Sequence, residues 1–269
     1  MKLVRSLLLV ALSIGFMAGP ALAAVEQVSV RVDGVACPFC AYNIEKRVKT
    51  LEGVERDARI ITNLENGTAT FPWKPGLAFD PAAVRKAIHE AGFTPRELTV
   101  TMTGAIEASS DRDAQTMLEL VDETAKLTVL VTPGERADQR ESWDQMRALA
   151  LLQDAKLRVR VAGEVRAASA DRPWSLILHT WAPLEYGAHV IVEIDDLTCE
   201  RCSTRTMRAL TELAGVIHVE ADHEADRVHI WTRDEAPDLR VFRERIETLG
   251  FKVTHVHTDG SSAEENEDE

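Results

Sequence analysis

The four cysteines of the chain form two pairs, and each pair has two residues between its members. The first pair is Cys37 and Cys40, and the second is Cys199 and Cys202. Thiolates are soft ligands that select ions such as Cu(I) and Zn(II), and two sulfurs at this spacing can converge on one ion. A structural zinc site takes four ligands, so a single pair better suits a two-coordinate ion such as Cu(I) or Hg(II). The sequence therefore predicts two metal sites with these four cysteines as ligands.

Two other chemistries use the same cysteine spacing. In an oxidising compartment each pair can close into an inert local disulfide, and oxidation then competes with metal. The segment Cys37-Pro-Phe-Cys40 also resembles the redox centre of thioredoxin-type proteins, with Cys37 as the nucleophile. A thioredoxin fold needs a βαβ unit around this motif, but little chain precedes Cys37 and the second pair has no proline. We expect metal binding without enzymatic turnover, with an exported thiol–disulfide oxidoreductase as the alternative.

The residues around the two cysteine pairs repeat one pattern of elements. Each pair follows an alternating apolar segment and precedes apolar residues at helical spacing, and a glycine ends each helix, Gly53 or Gly215. Further strand and helix patterns come next in both copies. The paired segments are 28–32 and 190–194, 68–71 and 227–231, and 81–91 and 239–249. Each copy reads strand, helix, strand, strand, helix, strand, which is the split βαβ arrangement.

The loop that holds each pair resembles that of the heavy-metal-associated family, in which Gly-Met-Thr-Cys-x-x-Cys joins the first strand to the first helix. The corresponding residues are Gly34-Val-Ala-Cys37-Pro-Phe-Cys40 and Asp196-Leu-Thr-Cys199-Glu-Arg-Cys202. The first copy lacks the threonine and the second lacks the glycine. The resemblance implies two ferredoxin-like modules. It also implies Cu(I) as the first choice of ion, ahead of Hg(II) and Zn(II), and exchange of that ion with a partner such as a metal-transporting ATPase.

Apolar, aromatic and imidazole side chains near the loops give further expectations. Val35 and Leu197 replace the family methionine and keep its packing role. Thr206 is polar where the helix of the second copy should be apolar. Phe93 and Phe251 follow the second helix of each copy, near the metal loop in the family, although both can also be core residues. In the second copy, alternating histidines can bind metal or form a solvated strand face; these are His255 and His257, with His218, His223 and His229 in the same copy.

The segment between the copies contains no cysteine and alternates like a set of strands. The strand patterns lie at 98–104, 127–131, 157–161 and 174–180, and a helical pattern lies near 138–152. This order predicts a small, mainly β barrel, with the OB fold as the candidate type. The segment lacks the basic, aromatic face that nucleic acid binding needs, and the chain carries a net charge of -13. We expect a spacer or docking domain.

The two ends of the chain differ from the modules. Residues 1–23 have a basic start, a short apolar run and small residues before Ala24, the layout of a secretory signal peptide; a retained anchor is the alternative. We therefore expect a periplasmic or secreted protein without membrane attachment after cleavage. Five of the last six residues are acidic, which predicts a disordered tail.

The predicted fold class is α+β, with two ferredoxin-like βαββαβ modules on either side of the small barrel. The predicted parts are a signal peptide (1–23), a first metal-binding module (25–98), the barrel (99–186), a second metal-binding module (187–258) and the acidic tail (259–269). The two modules could pass one ion between them, or one could bind the ion while the other docks to a partner.

Overall fold

The computed structural model describes residues 24–108, 117–122, 127–152, 157–167 and 174–259. The predicted signal peptide and residues 260–269 of the predicted tail lie outside the described residues. Among the helices that the structure describes, none has the length and apolar character needed to cross a membrane.

The first module has four strands and two helices in the predicted order. These are β1 (Ala24–Asp33), α1 (Pro38–Val48), β2 (Ile61–Asn63), β3 (Thr68–Pro72), α2 (Pro81–Glu90) and β4 (Thr94–Ala108). The strands lie in the order β2-β3-β1-β4, and every neighbouring pair is antiparallel. Val28 and Val30 of β1 are fully buried and share one core with Ile44 of α1 and Ile88 of α2. Both helices therefore cover the same face of the sheet.

Strand β4 is 15 residues long and continues past residue 98, where we predicted the first module to end. Val28 of β1 pairs with Val100 of β4, and Thr99 pairs with Glu164 of the middle segment. One buried core includes both the first module and the middle segment. The two parts share a strand because the alternation of buried side chains continues through Leu98, Val100 and Met102. An alternating pattern does not mark where the partner of a strand changes, so the sequence could not reveal this shared strand.

The middle segment closes a ring of five strands. With β4, these are β5 (Leu118–Asp122), β6 (Leu127–Thr132), β7 (Leu157–Arg166) and β8 (Ser175–Pro183). Antiparallel pairs join β4 to β5, β5 to β6, β8 to β7 and β7 to β4, whereas β6 and β8 are parallel. The helix α3 (Ala137–Leu152) lies between β6 and β7 along the chain. A small barrel of strands is therefore confirmed, and β5 is a strand that the sequence analysis did not predict.

The second module repeats the elements of the first. These are β9 (Ala188–Asp195), α4 (Glu200–Thr211), β10 (Val216–Asp222), β11 (Arg227–Thr232), α5 (Leu239–Thr248) and β12 (Lys252–Thr258). The strand order β10-β11-β9-β12 matches that of the first module, and the second module has a separate hydrophobic core. The predicted α+β class with two modules of the same topology is confirmed.

The helix α3 of the barrel packs against α4 and against β10, an edge strand of the second module. The Gln145 side-chain oxygen accepts a hydrogen bond from the backbone N–H of Val219 on β10 (3.2 Å). An ion pair between Glu141 of α3 and Arg208 of α4 (2.8 Å) adds to this contact. Because an uncovered edge strand offers unpaired backbone groups to other chains, the position of α3 also protects the second sheet.

Candidate metal centre

The first cysteine loop lies between β1 and α1. Gly34 has a φ of +86°, which turns the chain after β1, and Val35 is buried beneath the loop. Cys37 is the N-cap of α1, and its Sγ accepts a hydrogen bond from the backbone N–H of Cys40 (3.2 Å). Pro38 occupies the first turn, where a missing N–H costs no hydrogen bond. The loop therefore places both sulfurs at the positive end of a helix.

The second loop has the same geometry with different residues. Asp196 has a φ of +65° where the first copy has Gly34, so the missing family glycine does not change the turn. Leu197 is fully buried under the loop, and its N–H donates to the Asp226 carboxylate (3.2 Å). The Cys199 Sγ caps α4 by accepting from the backbone N–H of Cys202 (3.2 Å). Both predicted loops thus present their cysteines in the same way.

The two sulfurs of each pair lie together and are joined as a disulfide in the structure. The Cα atoms are 5.2 Å apart for Cys37 and Cys40, and 5.1 Å apart for Cys199 and Cys202. This is the local disulfide that the spacing allows. An ion bound to a reduced pair would use the same two sulfur atoms, so oxidation and metal binding exclude each other at each site.

The residues packed near each loop include the two predicted phenylalanines. Cys40 and Phe93 both pack partly against the first core, and a side chain added at Gly34 would meet the Phe93 ring at 3.9 Å. In the second module, Cys202 and Phe251 pack against the core, and the Arg205 guanidinium lies 5.0 Å from the Phe251 ring centre. Both phenylalanines are partly buried core residues, and Phe93 also lies beside its cysteine loop.

Two exposed aromatic side chains lie beside the first cysteine pair. Phe39, between the two cysteines, is 70% exposed, and Tyr42 one turn later is 57% exposed. Their ring centres are 6.5 Å apart. Large exposed apolar side chains next to each other are unusual on a protein surface and often mark a contact with another molecule. The first pair therefore lies beside an apolar surface patch.

Charged side chains and the barrel surround the second site. The Glu200 carboxylate accepts a hydrogen bond from the backbone N–H of Ala137 at the start of α3. Cys202 borders a cavity that is also lined by arginines; these are Arg201, Arg205, Arg208 and Arg245. Thr206 is fully buried, as a core position requires, and its hydroxyl has no hydrogen-bond partner among the described residues. The two cysteine pairs thus have the same backbone geometry in different surroundings.

Four of the five predicted histidines lie on the other face of the second sheet, and His223 lies in the turn between β10 and β11. Val190, Val192 and Ile194 of β9 face the helices, so the residues between them face away. On this outer face His255 pairs in register with Glu193, and His257 pairs with Ile191. The histidines therefore belong to a surface separate from the cysteine loop.

His229, which the sequence analysis named, lies on this face beside His189, which it did not identify. The Nε2 atom of His189 lies 3.1 Å from Nδ1 of His229, and Nδ1 of His189 lies 3.2 Å from the Asp259 carboxylate. Burial and the nearby His189 and Arg227 lower the pKa of His229. The Trp231 ring stacks on His189 with ring centres 4.6 Å apart.

Two titratable groups on β10 have shifted pKa values. His218 is fully buried and stacks on Trp181 of the barrel (3.9 Å), and burial lowers its pKa to about 3. Burial, together with Asp222 and Asp138, raises the pKa of Glu220 to about 7. Both shifts arise where β10 meets the barrel, so His218 is a neutral packing residue rather than a free ligand.

The two copies match a known domain. The model of the heavy-metal-associated domain matches residues 29–94 and 191–252, which include both cysteine pairs. Each match covers most of one βαββαβ module. The resemblance to the heavy-metal-associated family that the loop residues indicated is therefore confirmed in both regions.

Several solved structures are similar to the chain. The water-soluble region of the P-type ATPase CopA from Bacillus subtilis is 14% identical; the match covers 86% of this chain and 91% of that one, with a TM-score of 0.24. The copper chaperone Atx1 from Synechocystis PCC6803 is 24% identical over 25% of this chain and 97% of that one, with a TM-score of 0.21. The Cu(I)-loaded N-terminal domain of a potential copper-translocating P-type ATPase from Bacillus subtilis is 19% identical, with 28% and 92% covered and a TM-score of 0.25.

Proposed function

We propose that the protein binds a soft metal ion at each reduced cysteine pair and passes it to another protein. The observation that carries this proposal is the arrangement of sulfur at two helix N-termini, where Cys37 and Cys199 each accept a backbone N–H of the pair. A helix N-terminus stabilises an anion, and the thiolate is the form that binds metal. The match of both regions to the heavy-metal-associated domain supports the same role.

The number of ligands favours an ion of low coordination number. Each site has two sulfurs, and none of the described histidines or carboxylates forms a cluster with a cysteine. Two thiolates can satisfy Cu(I) or Hg(II), whereas a structural Zn(II) site would need two more ligands. The ligand number therefore places Cu(I) and Hg(II) ahead of Zn(II) as cargo, and we propose Cu(I) as the first ion to test. An ion held by two ligands is also open to attack by the thiolates of a partner, as transfer requires.

Titration of the reduced protein with Cu(I) tests this proposal. The full-length protein is reduced without oxygen and titrated with Cu(I) in competition with a chromogenic chelator. We expect two ions per chain, and one ion for the double variant Cys37→Ser/Cys40→Ser. The double variant Cys199→Ser/Cys202→Ser should also bind one ion, because the two sites lie in separate modules.

A histidine variant is the matched control for this titration. The double variant His255→Gln/His257→Gln removes two imidazoles from the second module without touching its cysteines, and should still bind two ions. Unchanged binding after both cysteine pairs are replaced would refute thiolate ligation. An insulin-reduction assay covers the alternative activity: catalytic reduction by a protein that retains no metal would instead establish a thiol–disulfide oxidoreductase.

We further propose that the first site is the one that exchanges metal with a partner. Phe39 and Tyr42 are exposed beside Cys37 and Cys40, and a partner with an apolar rim around its own cysteines would fit this patch. A domain of a metal-transporting ATPase is the class of partner that we favour. The layout of residues 1–23 supports export, so we propose a periplasmic or secreted protein.

The barrel between the modules is a candidate OB fold. Five strands in a closed ring, with one helix between the third and the fourth strand, support this assignment. The contacts of α3 with α4 and β10 favour a docking role, because they fix the second module on the barrel.

A further inference from the structure

A group of possible metal ligands lies on the barrel, in neither of the two cysteine loops. Glu97 of β4, Glu164 of β7 and His179 of β8 each offer one ligand atom, and these atoms lie within 4.8 Å of one another. Glu164 has a long contact with Arg166 (3.7 Å). Within the described part of the chain, Glu97 and His179 have no hydrogen bond or ion pair to another side chain. Two of the three ligand groups are thus available to an ion.

The strand pairing of the barrel brings these three side chains together. Thr99 of β4 pairs with Glu164, which places Glu97 at the next outward position along β4. On β8, Leu178 pairs with Gly163 and Thr180 pairs with Ala162, so His179 is the extra residue of a β-bulge. A bulge changes the direction in which a side chain points and is common beside functional sites. The bulge therefore turns the His179 imidazole away from the direction that regular strand pairing would give it.

Gly163 makes this close pairing of β7 and β8 possible. A Cβ atom at residue 163 would fall on the carbonyl oxygen of Ile177, on the neighbouring strand β8. Only glycine lets the two backbones approach so closely beside the bulge. The bulge and the glycine thus act together to hold His179 next to Glu164.

A cleft with a negative lining opens beside the three side chains. It has a volume of about 520 Å³, lies between the barrel and the second module, and is lined by both Glu97 and His179. Asp222 and Glu224 of the second module also line it, as does Glu220, whose burial raises its pKa to about 7. Arg136, the cation in the lining, is paired with Asp138. The cleft therefore has an excess of negative charge, which attracts cations.

A buried hydroxyl in the same cleft also indicates a ligand. Ser142 of α3 lines the cleft and is 3% exposed, and its Oγ has no hydrogen-bond partner among the described residues. Leaving a buried hydroxyl without a partner is unfavourable, so the lining of this cleft includes a polar group whose hydrogen bond is still to be supplied. This observation is independent of the carboxylates.

We propose that Glu97, Glu164 and His179 bind a divalent cation of intermediate hardness, such as Zn²⁺, at a third site that uses no cysteine. One imidazole and two carboxylates form a nitrogen–oxygen ligand set, which suits zinc and its neighbours rather than Cu(I). Three protein ligands leave a coordination position for water. The protein would therefore carry two kinds of site, with soft ligands in the modules and harder ligands on the barrel.

The full-length oxidised protein gives the direct test, because its cysteines are held in disulfides and cannot bind metal. After the absence of free thiols is verified, the protein is titrated with Co²⁺, followed by its visible absorption, and with Zn²⁺, followed by calorimetry. We expect one ion of either metal per chain. His179→Gln and, separately, Glu97→Gln should weaken binding at least 10-fold. Glu97 is exposed, so its replacement leaves the barrel folded even if the His179 variant does not fold.

Two histidine variants serve as controls in the same titrations. His89→Gln changes an exposed histidine on α2 and should bind the ion as the parent does. His189→Gln disrupts the His189–His229 pair of the second module and should also leave the affinity unchanged. Binding lost in the His189 variant but kept in the His179 variant would overturn the proposal, as would the absence of Co²⁺ and Zn²⁺ binding by the oxidised parent. Neither result would affect the cysteine sites, because these are closed in this experiment.

Discussion

At the scale of single residues, the first cysteine of each pair has two roles. Cys37 and Cys199 cap their helices through a sulfur that accepts a backbone N–H, and the same sulfur is a proposed ligand. A charged acceptor forms a stronger hydrogen bond than a neutral one, so this contact favours the thiolate over the thiol. The capping interaction that starts each helix therefore also favours the thiolate, which is the form that would bind a metal ion.

Glu220 gives a pH-dependent prediction at the same scale. Its pKa is raised to about 7 by burial, with Asp222 and Asp138 adding to the effect, so the folded protein holds this proton more tightly than the unfolded chain. The stability associated with Glu220 is therefore present at low pH and is lost as pH rises from about 4.5 to about 7. We expect Glu220→Gln to raise the free energy of unfolding by about 2 kcal/mol at pH 8 and to change it little near pH 4.5.

Urea unfolding at both pH values, with EDTA present, measures this difference. Glu224→Gln is the control, because Glu224 is an exposed carboxylate in the same β10–β11 turn region and its replacement should leave the pH dependence unchanged. If the free energy of unfolding changes equally with pH in the Glu220 variant and in the parent, burial does not disfavour this carboxylate.

The two cysteine loops could be located from the sequence because residue type and spacing are local properties, and metal binding by these cysteines remains a proposal. Asp196 shows that a local motif can vary, since it adopts the left-handed conformation that Gly34 adopts in the first copy. The cluster of Glu97, Glu164 and His179 could not be predicted. Its members are far apart in sequence, and only the pairing of β4, β7 and β8 brings them together.

At the scale of elements, the two cysteine loops depend on how α1 and α4 are supported. In the first module α1 packs against α2. Asp80 is the N-cap of α2, and its carboxylate accepts a hydrogen bond from the backbone N–H of Ala82 (2.8 Å). The helix α4 packs against α5 and also against α3 of the barrel. The first loop therefore depends on its own module, whereas the second is also held by the barrel.

The N-cap of α2 gives a prediction about this support. Asp80→Ala removes the acceptor for the first turn, and we expect it to lower the free energy of unfolding by about 1 kcal/mol. Asp80→Ser keeps a capping oxygen and should cost much less. Urea unfolding of the three proteins tests this order, and equal stability of the alanine and serine variants would contradict the capping role. The number of Cu(I) ions bound should not change in either variant.

Helices and strands with strong periodicity were predictable, but elements that depend on context were not. The pattern at 81–91 predicted α2, which the structure places at Pro81–Glu90. The strand β2 (Ile61–Asn63) has three residues, so the repeated order of elements implied it without locating it, and the barrel strand β5 was not predicted. Their strand character depends on pairing with β3, and with β4 and β6, respectively.

At the scale of the whole molecule, the shared strand β4 makes the first module and the barrel a single unit. Val25 of β1 pairs with Met102 and Val28 pairs with Val100, and both partners lie beyond the predicted boundary at residue 98. The second module has its own core and contacts the barrel through α3. The residues that the structure describes therefore form two hydrophobic cores, although the sequence shows three patterned segments.

Truncation tests whether the first module needs the second half of β4. A fragment of residues 24–98 loses the strand partners of Val25 and Val28, whereas a fragment of residues 24–104 keeps them. We expect the shorter fragment to be less stable by at least about 2 kcal/mol, because it exposes side chains that β4 buries. Urea unfolding of the two reduced fragments measures the difference, and equal stability would place the end of the module at residue 98.

Copper X-ray absorption of the reduced, Cu(I)-loaded full-length protein tests thiolate ligation most directly, because it identifies the atoms bound to the metal. We expect sulfur to be the only kind of atom bound to copper, contributed by Cys37 with Cys40 and by Cys199 with Cys202. The spectrum should lack the outer-shell scattering of imidazole. A spectrum dominated by nitrogen and imidazole scattering would contradict this, and would place the copper on the histidines rather than on the cysteine pairs.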